Sequence, residues 1–433
     1  MSRAMKDSGI PWIGEIPCHW EIQRLQTQLY ELNEKNTPIK TDYVLSLTNT
    51  RGVIPYTEKG DVGNKAKENH EEYKIAYPNT IVANSMNILI GSVGICNYYG
   101  CVSPVYYILK ERSGTDLRFY NYVLSCVPFQ KHLKQYANGI LEIRLRLSCK
   151  DILQRRVPTP SYLEQQSIAD FLDKKCGEID EMVSLQEKIV EELKAYKQAV
   201  ITEAVCKGLN PDVPMKDSGI EWVDSIPRHW EEVRFYKVNY IRGRLGWKGL
   251  KAEEYTETGY PFLSAFNIIN DKISWEDLNF INQERYDESP EIKLSIGDVL
   301  VVKDGAGIGK CARLDSLPLG EATVNSSLAV ITPNERMFYA FQYYYMLSTP
   351  FQHIIWLLKI GMGVPHLTQE NMHDIIETCP PMEEQRAIVD YLDTKCAEID
   401  TLISVRQAKI DALKEYKKSI IYEYITGKKE VPT

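Results

Sequence analysis

The residue set nearest to a phosphate-binding loop is Gly305-Ala-Gly-Ile-Gly-Lys310, which follows the apolar run Val299 to Val302. A strand that opens into a glycine loop is the order in which backbone N–H groups cradle phosphate. The spacing fails, because Gly305 and Gly309 enclose three residues rather than four and Cys311 stands where Ser or Thr would hold magnesium. Ile81 to Ala83 followed by Gly91-Ser-Val-Gly94 repeats the pattern without the lysine, which predicts a structural turn common to two parts of the chain. No Asn-Pro-Pro-Tyr or Asp-Pro-Pro-Tyr occurs, the tetrapeptide expected of an adenine methyltransferase. Asp287, Glu291 and Lys293 have the residue types of a nuclease cluster, but they are too closely spaced and have no second copy. The 7 histidines lack ligand spacing, and His19 and His229, beside Trp20 and Trp230, read as packing residues. The 10 cysteines include no Cys-x2-Cys pair, which predicts buried free thiols, with no metal and no cofactor. The chain is expected to have no catalytic set.

Chemistry for nucleic-acid contact is better represented. Arg234 to Lys251 carries Arg234, Lys237, Arg242, Arg244, Lys248 and Lys251 with no acid, interleaved with Phe235, Tyr236, Tyr240 and Trp247. Neutralising DNA phosphates needs such density, and arginine adds bidentate contact to guanine edges. An earlier cluster holds Lys131, Lys134, Arg144, Arg146 and Lys150 against the single acid Glu142. Asn84, Asn87 and Asn267 have the amide geometry that reads adenine, although asparagines near turns often cap local backbone instead. The formal net charge of −8 argues against a protein that coats DNA nonspecifically but allows a local basic face.

The elements that must position these residues are duplicated. MKDSGIPWIGEIPCHWE (5 to 21) returns as MKDSGIEWVDSIPRHWE (215 to 231), and EQQSIADFLDKKCGEID (164 to 180) as EQRAIVDYLDTKCAEID (384 to 400). The blocks between do not visibly match, so a nearly constant framework carries two different surfaces. The blocks read as α+β, with strands at Tyr43 to Leu47, Thr80 to Ala83, Val102 to Leu109, Asp298 to Val302 and Leu328 to Thr332, and helices at Arg118 to Tyr136 and Phe338 to Leu358. At 433 residues, more than one core is expected.

After Pro160 and Pro380, from Glu164 to about Lys207 and from Glu384 to about Thr426, there is no proline and no glycine but Gly177, which predicts two long helices. Ile168, Leu172, Ile179, Met182, Ile189, Leu193, Tyr196 and Val200 fall on steps built from threes and fours, as do Ile388, Leu392, Ile399, Leu402, Leu413, Tyr416 and Ile420. Such stripes want a partner helix, and each helix is the natural partner of the other. Lys175, Gln186, Lys395 and Arg406 stand at stripe positions, either as register-fixing polar residues or as snorkelling side chains. The longest apolar runs, such as Ile354 to Leu358, fall far short of the roughly 20 residues that span a bilayer. The N-terminus also lacks a signal-peptide core, so a cytoplasmic protein is expected.

Pro-x3-Glu-Gln-x2-Ile leading into an Ile-Asp-bearing heptad helix occurs twice: Pro160, Glu164, Gln165, Ile168, and Pro380, Glu384, Gln385, Ile388. With the lead SGIPWIGEIPCHW, the loop GDVLVVKDGAGIGK and the segment GMGVPHLTQENM, the whole chain resembles the specificity subunit of type I restriction-modification systems. The resemblance implies an α+β protein with two globular target recognition domains separated by two long helices in an antiparallel coiled coil, an internal pseudo-twofold repeat. The expected boundaries are 1–160 and 209–380 for the recognition domains, and 161–208 and 381–433 for the helices. It further implies a non-enzymatic subunit in which each head reads one half of a split site in double-stranded DNA. Modification subunits, using S-adenosylmethionine, would dock on the helices, with motor restriction subunits as optional further partners and no membrane involved. The competing reading is a coiled-coil adaptor whose heads bind proteins.

Overall fold

The computed structural model describes residues 3–49, 51–60, 65–67, 69–137, 146–220, 222–243, 252–305, 307–359 and 367–432. The chain divides into two compact units, Met1–Glu187 with Ala408–Thr433, and Lys188–Gln407. Each holds one divergent block, hereafter a head, together with part of each long helix.

The first head is built on a sheet of β1 (Leu29–Leu32), β2 (Thr80–Asn84), β3 (Val93–Cys96) and β4 (Tyr106–Glu111), followed by α1 (Leu117–Ser125) and α2 (Val127–Lys134). The first long helix, α3, runs from Tyr162 to Lys207. The second head repeats the plan with β5 (Asn239–Arg242), β6 (Val299–Val302), β7 (Cys311–Arg313), β8 (Leu328–Pro333), α4 (Tyr339–Leu347) and α5 (Thr349–Lys359), and the second long helix, α6, spans Met382–Ile425. The strand orders are β1-β4-β2-β3 and β5-β8-β6-β7, every pairing antiparallel. The unmatched blocks therefore share one sheet topology.

The continuous apolar run of β6 follows from burial on both faces. Val299 and Val301 enter the core beneath α4 and α5, while Leu300 and Val302 enter a second core with Leu263, Ile292 and Leu294, as the two-residue side-chain period requires.

Three expected elements are subdivided. The strand Val102 to Leu109 is two, Gly100–Val102 and β4, because Pro104 opens a turn in which Tyr106 N donates to Ser103 O at 3.0 Å. The helix Arg118 to Tyr136 breaks at Cys126, and the helix Phe338 to Leu358 at Ser348, both extended in ψ. In each case proline follows two residues on, at Pro128 and Pro350, where it cannot donate and its ring would strike the preceding turn.

The long helices pair antiparallel. In the first unit the Phe171 and Tyr424 rings pack with centroids 4.4 Å apart, Asp180 binds Lys417 at 2.7 Å and Glu187 binds Lys414 at 3.0 Å, so partners descend as α3 ascends. In the second unit Lys197 binds Asp400 at 2.7 Å, the same Lys–Asp pair at the 220-residue offset. The buried seam lies partly off the expected stripe. Met182, Tyr196, Leu402 and Tyr416 are exposed, while Cys176, Val183, Gln186, Val190 and Cys396 are buried. Lys175 and Lys395 lie beside the seam, bonded to Glu178 and Glu398 one turn on, and Cys176 and Cys396 take the positions expected for them. Gln186 is the polar residue that does sit in the seam, 6% exposed. Among the described residues no helix is long and apolar enough to cross a membrane.

Candidate nucleic-acid interface

Each head is bound to the helices by the same frame. Strand Glu21–Arg24 pairs antiparallel with Arg156–Thr159, and Glu231–Arg234 with Ile376–Cys379, which brings the Trp-rich lead to the start of a long helix. There the indole N–H of Trp20 donates to Glu164 at 3.1 Å, and that of Trp230 to Glu384 at 2.9 Å. His19 and His229, expected to pack, are instead exposed and hydrogen-bond the same carboxylates at 2.8 and 2.6 Å. Burial disfavours the charge on Glu164, but hydrogen bonds from His19, Trp20 and Ser161 outweigh it and hold the carboxyl at about 2. Ser161 and Glu164 also exchange the bonds of a capping box, a signal present in the sequence as Ser-x-x-Glu.

The glutamine of the motif has its own task. Gln165 donates to Pro160 O and accepts from Asp116 N, both at 2.9 Å, and Gln385 donates to Pro380 O at 2.8 Å and accepts from Phe338 N at 2.6 Å. It ties the start of the long helix to the N-cap of α1 or α4. A further repeated feature, not singled out from sequence, closes the frame. Gly427, after α6, lies against Pro17 and Trp20, and Gly208, after α3, lies against Trp230, both glycines at positive φ. Each Trp thus sits between the N-terminus of one long helix and the glycine that ends the other.

The divergent loops gather away from this frame. β1 and β2 end, and β3 and β4 begin, at one end of the first sheet, and β5 to β8 repeat the arrangement. The frame strand Glu21–Arg24 adjoins the opposite end, leading into β1 through a three-residue turn. Both glycine runs lie at the loop end, joining β2 to β3 and β6 to β7. They are hairpin connections, as expected of a shared structural turn, with Gly91 and Gly309 at φ of 94° and 91°. Leu147 N donates to Ser85 O at 3.2 Å and Leu367 N to Lys303 O at 2.9 Å, so both loops are fastened alike.

The expected DNA-contacting residues fall into separate places. Lys131 and Lys134 are exposed on α2, which packs on the Ile88–Ile90 turn of the loop end, and exposed Arg146 adjoins Leu147 there. Arg234 and Lys237 precede β5, on the frame side, with Arg234 paired to Asp374 at 2.6 Å and Lys237 4.9 Å from the Tyr236 ring. Arg242 turns inward. It binds buried Asp298 at 2.7 Å, Thr332 at 2.7 Å and the carbonyl of Lys293 at 2.8 Å, because the last residue of β5 must supply a cation to a carboxylate with no exposed surface. Arg144, Arg244, Lys248 and Lys251 lie outside the described residues.

Other sequence candidates resolve into structure. Asn84 is buried and caps Met86 N, and Asn267 forms a capping box with Ser264. Asn87 is exposed with no side-chain cap bond. Lys293 binds Asp287 at 2.5 Å and lies over the Tyr286 ring, a surface ion pair. Cys18 is exposed, against expectation, while the other nine cysteines are buried. Among the described residues no group of three or more His, Cys, Asp or Glu has the geometry of a metal site.

Two heads of one topology, each clamped by a Trp–Glu–Gly frame to a pair of antiparallel helices, define a duplicated two-headed protein. The family model described as "Type I restriction modification DNA specificity domain" matches residues 17–198 and 227–427, and the chain belongs to that family. It is 26% identical over 426 residues to the specificity subunit of the type I restriction enzyme MjaVIII from Methanocaldococcus jannaschii, covering 95% of this chain and 93% of that one. It is 24% identical over 441 residues to the putative type I restriction enzyme MjaX specificity subunit of the same organism, covering 97% and 96%. The fold matches a chain from a structure concerned with complex assembly and conformational transition of the type I R-M system, with TM-score 0.70, 15% identity and coverage of 95% and 98%.

Proposed function

We propose that this chain is the sequence-specific DNA-recognition subunit of a type I restriction-modification complex, each head reading one half of a bipartite, asymmetric site in double-stranded DNA. The observation that carries the reading is a division of labour within each head. The frame is the same in both heads down to its Trp–Glu and Gln–backbone bonds, whereas the loops that differ are gathered at the opposite end of the sheet. Lys131, Lys134 and Arg146 in the first head, and Arg244, Lys248 and Lys251 in the second, supply phosphate contacts. Arg242, whose guanidinium is engaged by Asp298, is left out of that set. The heads correspond to 1–160 and 209–380. The long helices dock modification subunits, which carry out the methyl transfer in an assembly open to restriction subunits as optional partners; the chain itself catalyses nothing. The test is the methylome of a host with and without this chain. Loss of methylation at one split motif is expected, and an unchanged methylome overturns the reading.

A further inference from the structure

The loop end of the first head contains a concavity of about 630 Å³ between the Leu45–Thr48 and Gly52–Pro55 hairpin, the β2–β3 loop and the turn before β4. Among the described residues its lining includes Arg51, Lys59 and Lys65 and no Asp or Glu, in a chain whose formal net charge is −8. Asn49, Asn87 and Ser103 add amide and hydroxyl groups to the same wall. The wall is held in place: Tyr56 Oη accepts from Ala66 N at 2.9 Å and Tyr73 Oη from Lys67 N at 3.0 Å, which fastens the segment carrying Lys65. Asn87 is fixed through its backbone, where its N donates to Asn84 O at 3.2 Å and its O accepts from Ser92 N at 3.0 Å, while its exposed amide makes no cap bond. Arg51 pairs with Glu58 at 2.6 Å at the rim, both side chains about half exposed. A pair so exposed is worth under about 1 kcal/mol and yields readily to a phosphate.

We infer that this groove of the first head takes one strand of its DNA half-site, with Arg51, Lys59 and Lys65 on the phosphates and Asn87 on a base edge. The inference rests on the DNA-reading role proposed above and assigns that role to particular residues. A described lining that carries cations, with its acid Glu58 at the exposed rim, matches a polyanion, and an unengaged amide on a fixed turn is the donor–acceptor pair that reads adenine at N6 and N7.

The test uses the full chain assembled with its modification subunits. The Arg51→Ala/Lys65→Ala variant removes two phosphate contacts, so the slope of log affinity against log salt flattens by about 2 while the recognised sequence stays the same. Asn87→Ala leaves that slope alone and relaxes one position of one half-site, with the other half-site unchanged, as read from the methylome. Circular dichroism melting of both variants should match the parent, since the altered side chains are exposed. Should the parent complex bind its split site with salt dependence while both variants retain parental slope and motif, the groove is not a DNA contact. Relaxation of both half-sites by Asn87→Ala overturns the inference equally. Failure of the parent complex to bind duplex DNA would instead sink the functional reading itself.

Discussion

Trp230 donates its indole N–H to Glu384 at 2.9 Å, at the start of one long helix, while its ring is covered by Gly208, the residue that follows the other. Trp20 stands in the same relation to Glu164 and Gly427. Replacing either Trp by Phe removes a hydrogen bond to a carboxylate, a loss of about 2 kcal/mol to its own unit. The glycines are not equivalent. A Cβ on Gly427 would stand 2.5 Å from Pro17, whereas one on Gly208 would meet Trp230 at 3.1 Å. Both substitutions to Ala carry roughly 1–2 kcal/mol of left-handed strain, and Gly427→Ala adds a clash. Hydrogen exchange should show greater loss of protection in the first unit for Gly427→Ala than in the second for Gly208→Ala; the reverse order would contradict the frame as described.

Arg242 separates folding from DNA contact. Its guanidinium serves Asp298, whose side chain is 0% exposed, so Arg242→Ala strands a buried carboxylate and should lower the stability of the second unit by about 3 kcal/mol. The salt slope of DNA binding measured on the fraction that remains folded should match the parent. A stable variant with a flattened slope would return Arg242 to the DNA surface.

Glu377 gives the second head a pH dependence that the first lacks. Fully buried, it accepts from Asn239 at 2.9 Å and Gln342 at 2.8 Å, and burial pushes its carboxyl up to about 8 against those donors. At the corresponding strand and helix positions the first head has Val157, Leu29 and Tyr120, all buried. A folded value above the unfolded one, near about 4.3, means that the stability from the bound proton is complete below about pH 4 and is lost as pH rises towards 8. Urea midpoints of the second unit should therefore fall between pH 5 and 8 and level off above, and Glu377→Gln should flatten that fall. An unchanged profile in the Gln variant would remove Glu377 as its source.

The duplication, the two long helices and the structural nature of both glycine loops are readable in the sequence, because repeats and uninterrupted helical spacing are local signals. The seam is harder: Met182 and Tyr196 satisfy the same three-and-four spacing as Cys176 and Val183, and only the partner helix decides which face closes. Pro128 and Pro350 mark helix breaks, but two helical segments in direct succession read as one apolar pattern. The basic stretch from Arg234 to Lys251 reads as one surface, yet it crosses the sheet, so Arg234 lies on the frame side and Arg242 inside the head. Glu377 offers no local sign of burial, since Ile376–Cys379 is a short strand and burial is fixed by α4 packing over it.

The independence of the heads is tested most directly by exchange. Strand Glu21–Arg24 pairs with Arg156–Thr159, so replacing residues 25 to 155 by the corresponding block of another family member keeps the frame bonds of Trp20, Glu164 and Gly427 in place. Methylome sequencing of a host carrying that chimera should show one half-site replaced by the donor's and the other half-site retained. A chimera that assembles and methylates, yet alters both half-sites or neither, would contradict the account of two separate readers on one frame.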